Sequence, residues 1–262
     1  MRKPFIVDAH IHTGASCAYY AEKPDAARYL ELMDRLSIER AICSDMLSIT
    51  RGLRHGLKAA ERVFDESEGR IFYLGVYDPR SDAGRIGVLE KAAAKPGFLG
   101  VKIHPSFHKT TPESALYDEV WRFVRDHDLT LLAHSWSVST YNPAQAYATP
   151  ERFRHYADKF PDVRLVLAHA GGRGNGRAEA VRTANEYKNV YLDFAGDIFC
   201  FKYLETMLDI VPHNKLIFGS DYPMFDPRAN LSRVLLSGIG ETAMAQVLCN
   251  NAVTAYKMEK KC

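Results

Sequence analysis

The sequence predicts an α/β protein built as one (β/α)8 barrel over residues 1–262. Three observations carry that prediction: eight short β-rich apolar runs, amphipathic segments between them, and a chain of 262 residues, close to the roughly 250 that such a barrel needs. In chain order the runs begin at Phe5 (FIVDAH), Arg40 (RAICSDM), Ile71 (IFYLGVY), Phe98 (FLGVKIH), Leu129 (LTLLAH), Val163 (VRLVLAH), Asn189 (NVYLDF) and Lys215 (KLIFGSD). Stretches 24–37, 52–67, 111–127, 149–160 and 176–187 repeat apolar residues at i, i+3 and i+4, the spacing of one helix face. Strands alternating with helices imply a parallel sheet, and closing it removes the edges. The rival architecture is an open doubly wound sheet, suggested by the loop Gly171, Gly172, Gly174 and Gly176. Its GGxGxG spacing departs from the GxGxxG dinucleotide fingerprint. No Pro- or Ser-rich linker divides the chain, and 142–150 reads as one βα loop.

Composition narrows the partners. With 47% hydrophobic and 25% charged residues the chain can bury a sizeable core, and a net charge of +2 leaves no electrostatic footprint for nucleic acid or an anionic membrane. A small-molecule substrate is expected. The apolar N-terminal run is broken by Asp8 and His10, and nothing approaches the ~18 uncharged apolar residues of a membrane span, so the cytoplasm is the expected location. The five cysteines, Cys17, Cys43, Cys200, Cys249 and Cys262, are odd in number and lack a CxxC pair, which argues against a disulfide framework or a thiolate zinc site. Cys17 or Cys200 offers a nucleophile, although a free cysteine more often serves as a small inert core residue. Residues 224–227 and a C-terminal helix around 244–256 suit either a homodimer contact or a cover for the barrel's own end.

The chemistry-bearing residues cluster at the C-terminal ends of the predicted strands. His10 and His12 lie two apart on the first strand and so share a face, where two imidazoles can chelate one ion. His134 ends the fifth strand, His169 ends the sixth, and Asp221 follows the eighth. Singly each has an ordinary structural reading: a satisfied core histidine, a group bonded to a loop carbonyl, a helix N-cap. Five metal-competent groups at the rim where barrel active sites concentrate point instead to a site.

Taken together, DAHIH from Asp8, GVKIHP from Gly100, LLAHS from Leu131, VLAHAGG from Val166 and FGSDYP from Phe218 resemble the amidohydrolase superfamily, in particular its amidohydrolase-2 branch of TIM-barrel hydrolases and decarboxylases. The resemblance spans residues 8–223 and follows the family's motif order. It implies that His10, His12, His134 and Asp221 bind one zinc ion and that His169 orients the water or polarises the substrate. Three neutral imidazoles and a carboxylate suit zinc in a site that keeps a coordination position open, where a bound water's pKa falls to about 7. Asp221 is then expected to take the water's proton and deliver it to the leaving group, and His169 to stabilise the oxyanion.

Lys102 shares strand parity with His104. In binuclear relatives a fourth-strand lysine is carboxylated and bridges two metals, so the resemblance allows a second ion here. The alternative is a protonated lysine that binds a substrate carboxylate or pairs with Asp8 or Asp193. His104 is either a substrate contact or a barrel-layer group. His108, Trp136, Tyr141, Arg173, Asn175 and Tyr222 lie on loops that could shape a pocket, whereas His55, His127, His155 and His213 read as ordinary surface residues. The expected function is metal-dependent hydrolysis of a C–N or C–O bond in a small amide, lactone or ester. Metal-dependent non-oxidative decarboxylation of an unsaturated or aromatic acid is the alternative, and a non-catalytic ligand-binding barrel comes third.

Overall fold

The computed structural model describes residues 4–15 and 25–259. Its strands are β1 (Ile6–Ile11), β2 (Ile38–Ser44), β3 (Ile71–Val76), β4 (Phe98–Ile103), β5 (Thr130–Ala133), β6 (Arg164–Leu167), β7 (Val190–Asp193) and β8 (Leu216–Ile217). All pair in parallel in the order β1-β2-β3-β4-β5-β6-β7-β8, as the sequence predicts. The ring closes just beyond β8. Ala9 N donates to Phe218 O at 3.0 Å, Asp221 N to His10 O at 2.8 Å and His12 N to Tyr222 O at 2.7 Å, with Ile11 and Tyr222 forming a parallel bridge. This closure excludes the open doubly wound sheet. The glycine loop has a packing reason instead: a Cβ on Gly171 would lie 2.1 Å from Gly176 O, and one on Gly172 would lie 2.6 Å from the Trp136 indole.

Alternation sorts the strand residues into two layers. Val7, Ala9, Ile42, Leu74, Leu132, Val166, Ala168 and Ile217 fill the barrel, while Ala41, Cys43, Val101, Ile103, Leu131, Leu165 and Leu192 face the helices. The segment after β8 is a cover for the barrel's own end. Helix Asn251–Ala255, with Tyr256 and Met258, joins the inner cluster, and Ala255 O accepts from Thr130 Oγ1 at 2.6 Å and Arg164 Nε at 2.9 Å at the starts of β5 and β6. The opposite, C-terminal mouth is left for the site.

Close backbone approach makes one interior position intolerant. A Cβ on Gly100 would sit 1.9 Å from Thr130 O across the β4–β5 ladder. Gly100→Ala is therefore expected to destabilise the fold by about 2–3 kcal/mol, read as a lowered denaturation midpoint at unchanged slope. An unshifted midpoint would refute that contact.

Some helices are shorter than periodicity predicts. The 111–127 segment forms a 3-10 turn, Ala115–Tyr117, before helix Asp118–Asp126, because the Ser114 side chain caps Leu116 N. The 149–160 segment likewise opens with a 3-10 turn at Pro150–Phe153. Helix Ala26–Leu36 begins where Asp25 caps Arg28 N, buries Ala26, Tyr29 and Met33, and delivers the Tyr29 hydroxyl toward β1. No helix among the described residues is long and apolar enough to cross a membrane.

Candidate metal centre

β1 carries the key distortion. Three steps from Asp8 to Ile11 face only two steps, Ala41 to Cys43, on β2, so β1 holds one extra residue. The extra residue changes the phase of alternation. Val7 and Ala9 fill the barrel, yet His10 and His12 also face its mouth, whereas Asp8 turns toward the helix layer. There the Asp8 carboxylate accepts from Tyr29 OH at 2.6 Å, Ser220 N at 2.9 Å and His10 N at 3.3 Å. It thereby ties the strand bearing the two histidines to the turn bearing Asp221, and burial pushes its carboxyl up to about 6. Asp8 is not the partner of Lys102.

The imidazoles are held in defined tautomers. His10 Nδ1 lies 3.0 Å from Asp193 Oδ2, and His12 Nδ1 lies 2.9 Å from Ser44 O. A carboxylate and a carbonyl only accept, so each Nδ1 carries the proton and each Nε2 keeps its lone pair. Both Nε2 atoms approach Asp221 Oδ1, at 3.7 Å from His10 and 3.3 Å from His12. Ligand atoms of His10, His12 and Asp221 all lie within 4.8 Å of one another, in a buried group that could hold a metal ion. Oriented imidazoles with hydrogen-bonded outer nitrogens and a facing carboxylate are the donor set a divalent cation requires.

His134 lines the same cavity but stands outside this group. Its Nε2 lies 3.0 Å from Gln145 Oε1, and its ring stacks on His104 with centroids 3.9 Å apart. Nδ1 is then the nitrogen left for an ion. Burial drives both His104 and His134 well below the ordinary histidine range, so both are neutral. Because Phe107 N donates to His104 Nδ1 at 3.4 Å, the neutral His104 ring carries its proton on Nε2.

His169 and Asp221 both adopt left-handed backbone, with φ 59° and 64°, which concentrates strain at the mouth. The His169 Nδ1 faces Ala195 O at 3.0 Å, so the neutral ring presents a lone pair at Nε2. That geometry suits accepting a hydrogen from water. The oxyanion role expected for His169 needs a donor, which this ring offers only once protonated. Lys102 is the better donor. Its amine reaches His10 Nε2 at 3.0 Å, and burial brings it down to about 8 against the pull of Asp193 and Asp221.

Sequence reasoning gave Asp193 no role toward His10, although it ends β7 at the same rim. Its Oδ2 accepts from His10 Nδ1, while Oδ1 accepts from His169 N at 2.9 Å and Ala195 N at 3.1 Å, so one buried carboxylate organises two of the five rim groups. It also forms a second close group with His10 and His169. The loop candidates divide. Trp136 packs 5.3 Å from His169 and His108, bonded to Tyr117, lines a neighbouring cavity, but Tyr222 packs on Tyr29, Arg173 pairs with Asp197 and Tyr141 is fully exposed. Cys200 is exposed rather than a core residue and does not line the cavity; Cys43 and Cys249 are buried, and Cys17 and Cys262 lie outside the described residues.

No sequence match is found among curated proteins. Solved structures similar in fold include 5-carboxyvanillate decarboxylase from Sphingomonas paucimobilis, with a TM-score of 0.73 and 14% identity over 97% of this chain and 99% of that one. Another is 2,6-dihydroxybenzoate decarboxylase from Rhizobium, with a TM-score of 0.75 and 14% identity over 97% and 99%. A third is a probable 2-pyrone-4,6-dicarboxylic acid hydrolase from Acinetobacter baumannii, with a TM-score of 0.71 and 13% identity over 96% and 99%. At these identities the likeness concerns the barrel itself. The family model described as Amidohydrolase matches residues 7–258, nearly the whole sequence, and on that match the chain belongs to the amidohydrolase family.

Proposed function

We propose that this chain is a metal-dependent hydrolase that cleaves a C–N or C–O bond in a small amide, lactone or ester. The observation that supports it best is the convergence of His10 Nε2 and His12 Nε2 on the Asp221 carboxylate, with the Lys102 amine beside His10 Nε2. His10, His12 and Asp221 would hold zinc, with His134 as the fourth ligand through the nitrogen not engaged by Gln145. The bound ion would supply the Lewis acidity that brings a water close to hydroxide at neutral pH. The remaining work falls to the chain's own groups. Asp221 accepts the attacking water's proton and passes it to the leaving group. His169 Nε2 accepts the water's other hydrogen and fixes its direction, and Lys102, as a free ammonium, donates to the oxygen that gains charge.

Decarboxylation is the second reading. A buried lysine amine in the cavity suits a substrate carboxylate, and two of the neighbours in fold are decarboxylases. Protein purified without chelator is expected to carry about one divalent ion per chain by elemental analysis, and to lose it together with activity on dialysis against a strong chelator. A metal-free, active protein would overturn both readings. Carbon dioxide release from candidate acids, compared with base uptake on candidate esters and lactones, separates the two.

A further inference from the structure

The cavity among the rim groups is small, ≈70 Å³, and is lined by His10, Lys102, His104, His134, His169 and Asp221. At ~30 Å³ for a water's share of liquid volume, it admits a reacting group and little else. Sites for small molecules usually run to roughly 300–1,000 Å³. The missing space lies next door. A cavity of ≈490 Å³ opens between the loops that follow β2, β3 and β4, and it shares Ile49 and Phe107 with the small one. Both shared side chains are large and apolar, yet 37% and 48% exposed, so they form an uncovered apolar passage between the two spaces.

The far side of the larger cavity carries two guanidiniums, Arg51 and Arg85, beside two carboxylates, Asp78 and Asp82. One oxygen of each carboxylate builds the loop: Asp78 Oδ1 accepts from Arg80 N at 2.9 Å and Asp82 Oδ2 from Asp78 N at 3.0 Å, while the buried Asp82 Oδ1 has no hydrogen-bond partner. Arg85 reaches only Asp82 Oδ1, at 3.9 Å, beyond hydrogen-bonding distance. Arg51 forms no ion pair among the described residues. Arg51 and Arg85 therefore line this space with most of their donors uncommitted, Arg51 at its border with a neighbouring cavity.

We propose that the larger cavity holds the non-reacting arm of the substrate: an apolar spacer that passes between Ile49 and Phe107 and ends in an anionic oxygen head, carboxylate or phosphate, held by Arg51 and Arg85. The proposal rests on the metal-centre reading above, since the other end of the molecule must reach His10, His12 and Asp221. It makes the substrate elongated and bifunctional, with the scissile carbonyl at one end and the recognised anion at the other.

Hydroxamates test this without knowledge of the substrate, because the hydroxamate end binds a metal and the other end can be varied. Calorimetry on metal-loaded protein would compare, over increasing spacer lengths, methyl-ended, carboxylate-ended and phosphonate-ended alkyl hydroxamates. At the best length an anionic end is expected to bind about 10- to 100-fold more tightly than a methyl end of equal length. The ratio should collapse toward unity in the Arg51→Gln/Arg85→Gln double variant and persist in Arg54→Gln, on the neighbouring helix outside this cavity. The larger of the carboxylate and phosphonate ratios names the head. Equal affinity for methyl and anionic ends at every length would overturn the proposal, as would a preference that survives the double substitution. Protein that carries no metal and binds no hydroxamate would instead overturn the metal-centre reading, and this proposal with it.

Discussion

Asp221→Asn is expected to cut turnover by about 10³-fold, the usual scale for a lost acid–base group, while leaving the fold nearly as stable as before. Asp221 sits at φ 64°, a backbone conformation that asparagine tolerates about as well as aspartate, so the substitution changes charge rather than chain path. The Asp221 N–H to His10 O bond at 2.8 Å is a main-chain contact and survives. What disappears is the carboxylate that faces His10 Nε2 and His12 Nε2 as a proton acceptor. The measurement is kcat on whichever ester, lactone or acid the wild type consumes, beside a thermal melt and elemental analysis of both proteins. A metal-loaded variant with near-wild-type kcat would remove Asp221 from proton transfer. A variant that loses its metal would assign Asp221 chiefly to binding the ion.

Strand parity made much of the fold legible, because a residue's face follows from counting by two. The eight apolar runs each overlap one strand, and Lys102 and His134 face the barrel mouth as counting from β4 and β5 predicts. Counting fails at β1. Asp8 and His10 share parity, but the extra residue before Ile11 sends them to opposite layers. Nothing in DAHIH announces a bulge, because its cause is long-range: the backbone of Phe218, Asp221 and Tyr222 closing the ring against β1. β8 is shortened to Leu216–Ile217 for a related reason. Gly219 lies against His10, where a Cβ would come within 2.8 Å of His10 Cβ, and Asp221 then turns left-handed instead of extending the strand.

Outer-sphere partners were less legible than ligand candidates, and the difference is physical. A metal-competent side chain announces itself by type and by its place at a strand end. The group behind it can be any acceptor, and here the acceptors are a carbonyl on β2 for His12, a glutamine eleven residues downstream for His134, and a carbonyl just past β7 for His169. Only for His10 is the acceptor a charged side chain at a strand end, and Asp193 was visible in NVYLDF on the same grounds that singled out the histidines. Of the segments that form the larger cavity, 48–52, at the end of helix Leu47–Arg51, and 78–85 drew no attention from the sequence, and only His108 was singled out.

That carboxylate supplies the other large effect. Asp193→Asn replaces one oxygen facing His10 Nδ1 with an NH2 group or, after a flip, withdraws the oxygen that serves His169 N and Ala195 N. With an N–H facing it, His10 Nδ1 is pushed to accept, and the ring proton then moves to Nε2, the atom that faces Asp221. A protonated Nε2 cannot ligate. The site must therefore give up either the His10 tautomer or the two main-chain hydrogen bonds, and metal affinity is expected to fall about 10- to 100-fold, as measured by competition with a chromophoric chelator. A companion variant separates tautomer control from general damage to the fold. Leu132→Ala in the barrel core should lower the melting temperature, through lost burial and a cavity, without changing metal affinity. If Asp193→Asn binds metal as tightly as the wild type, the carboxylate does not set the His10 tautomer, and the case for His10 as a ligand through Nε2 loses its main physical support.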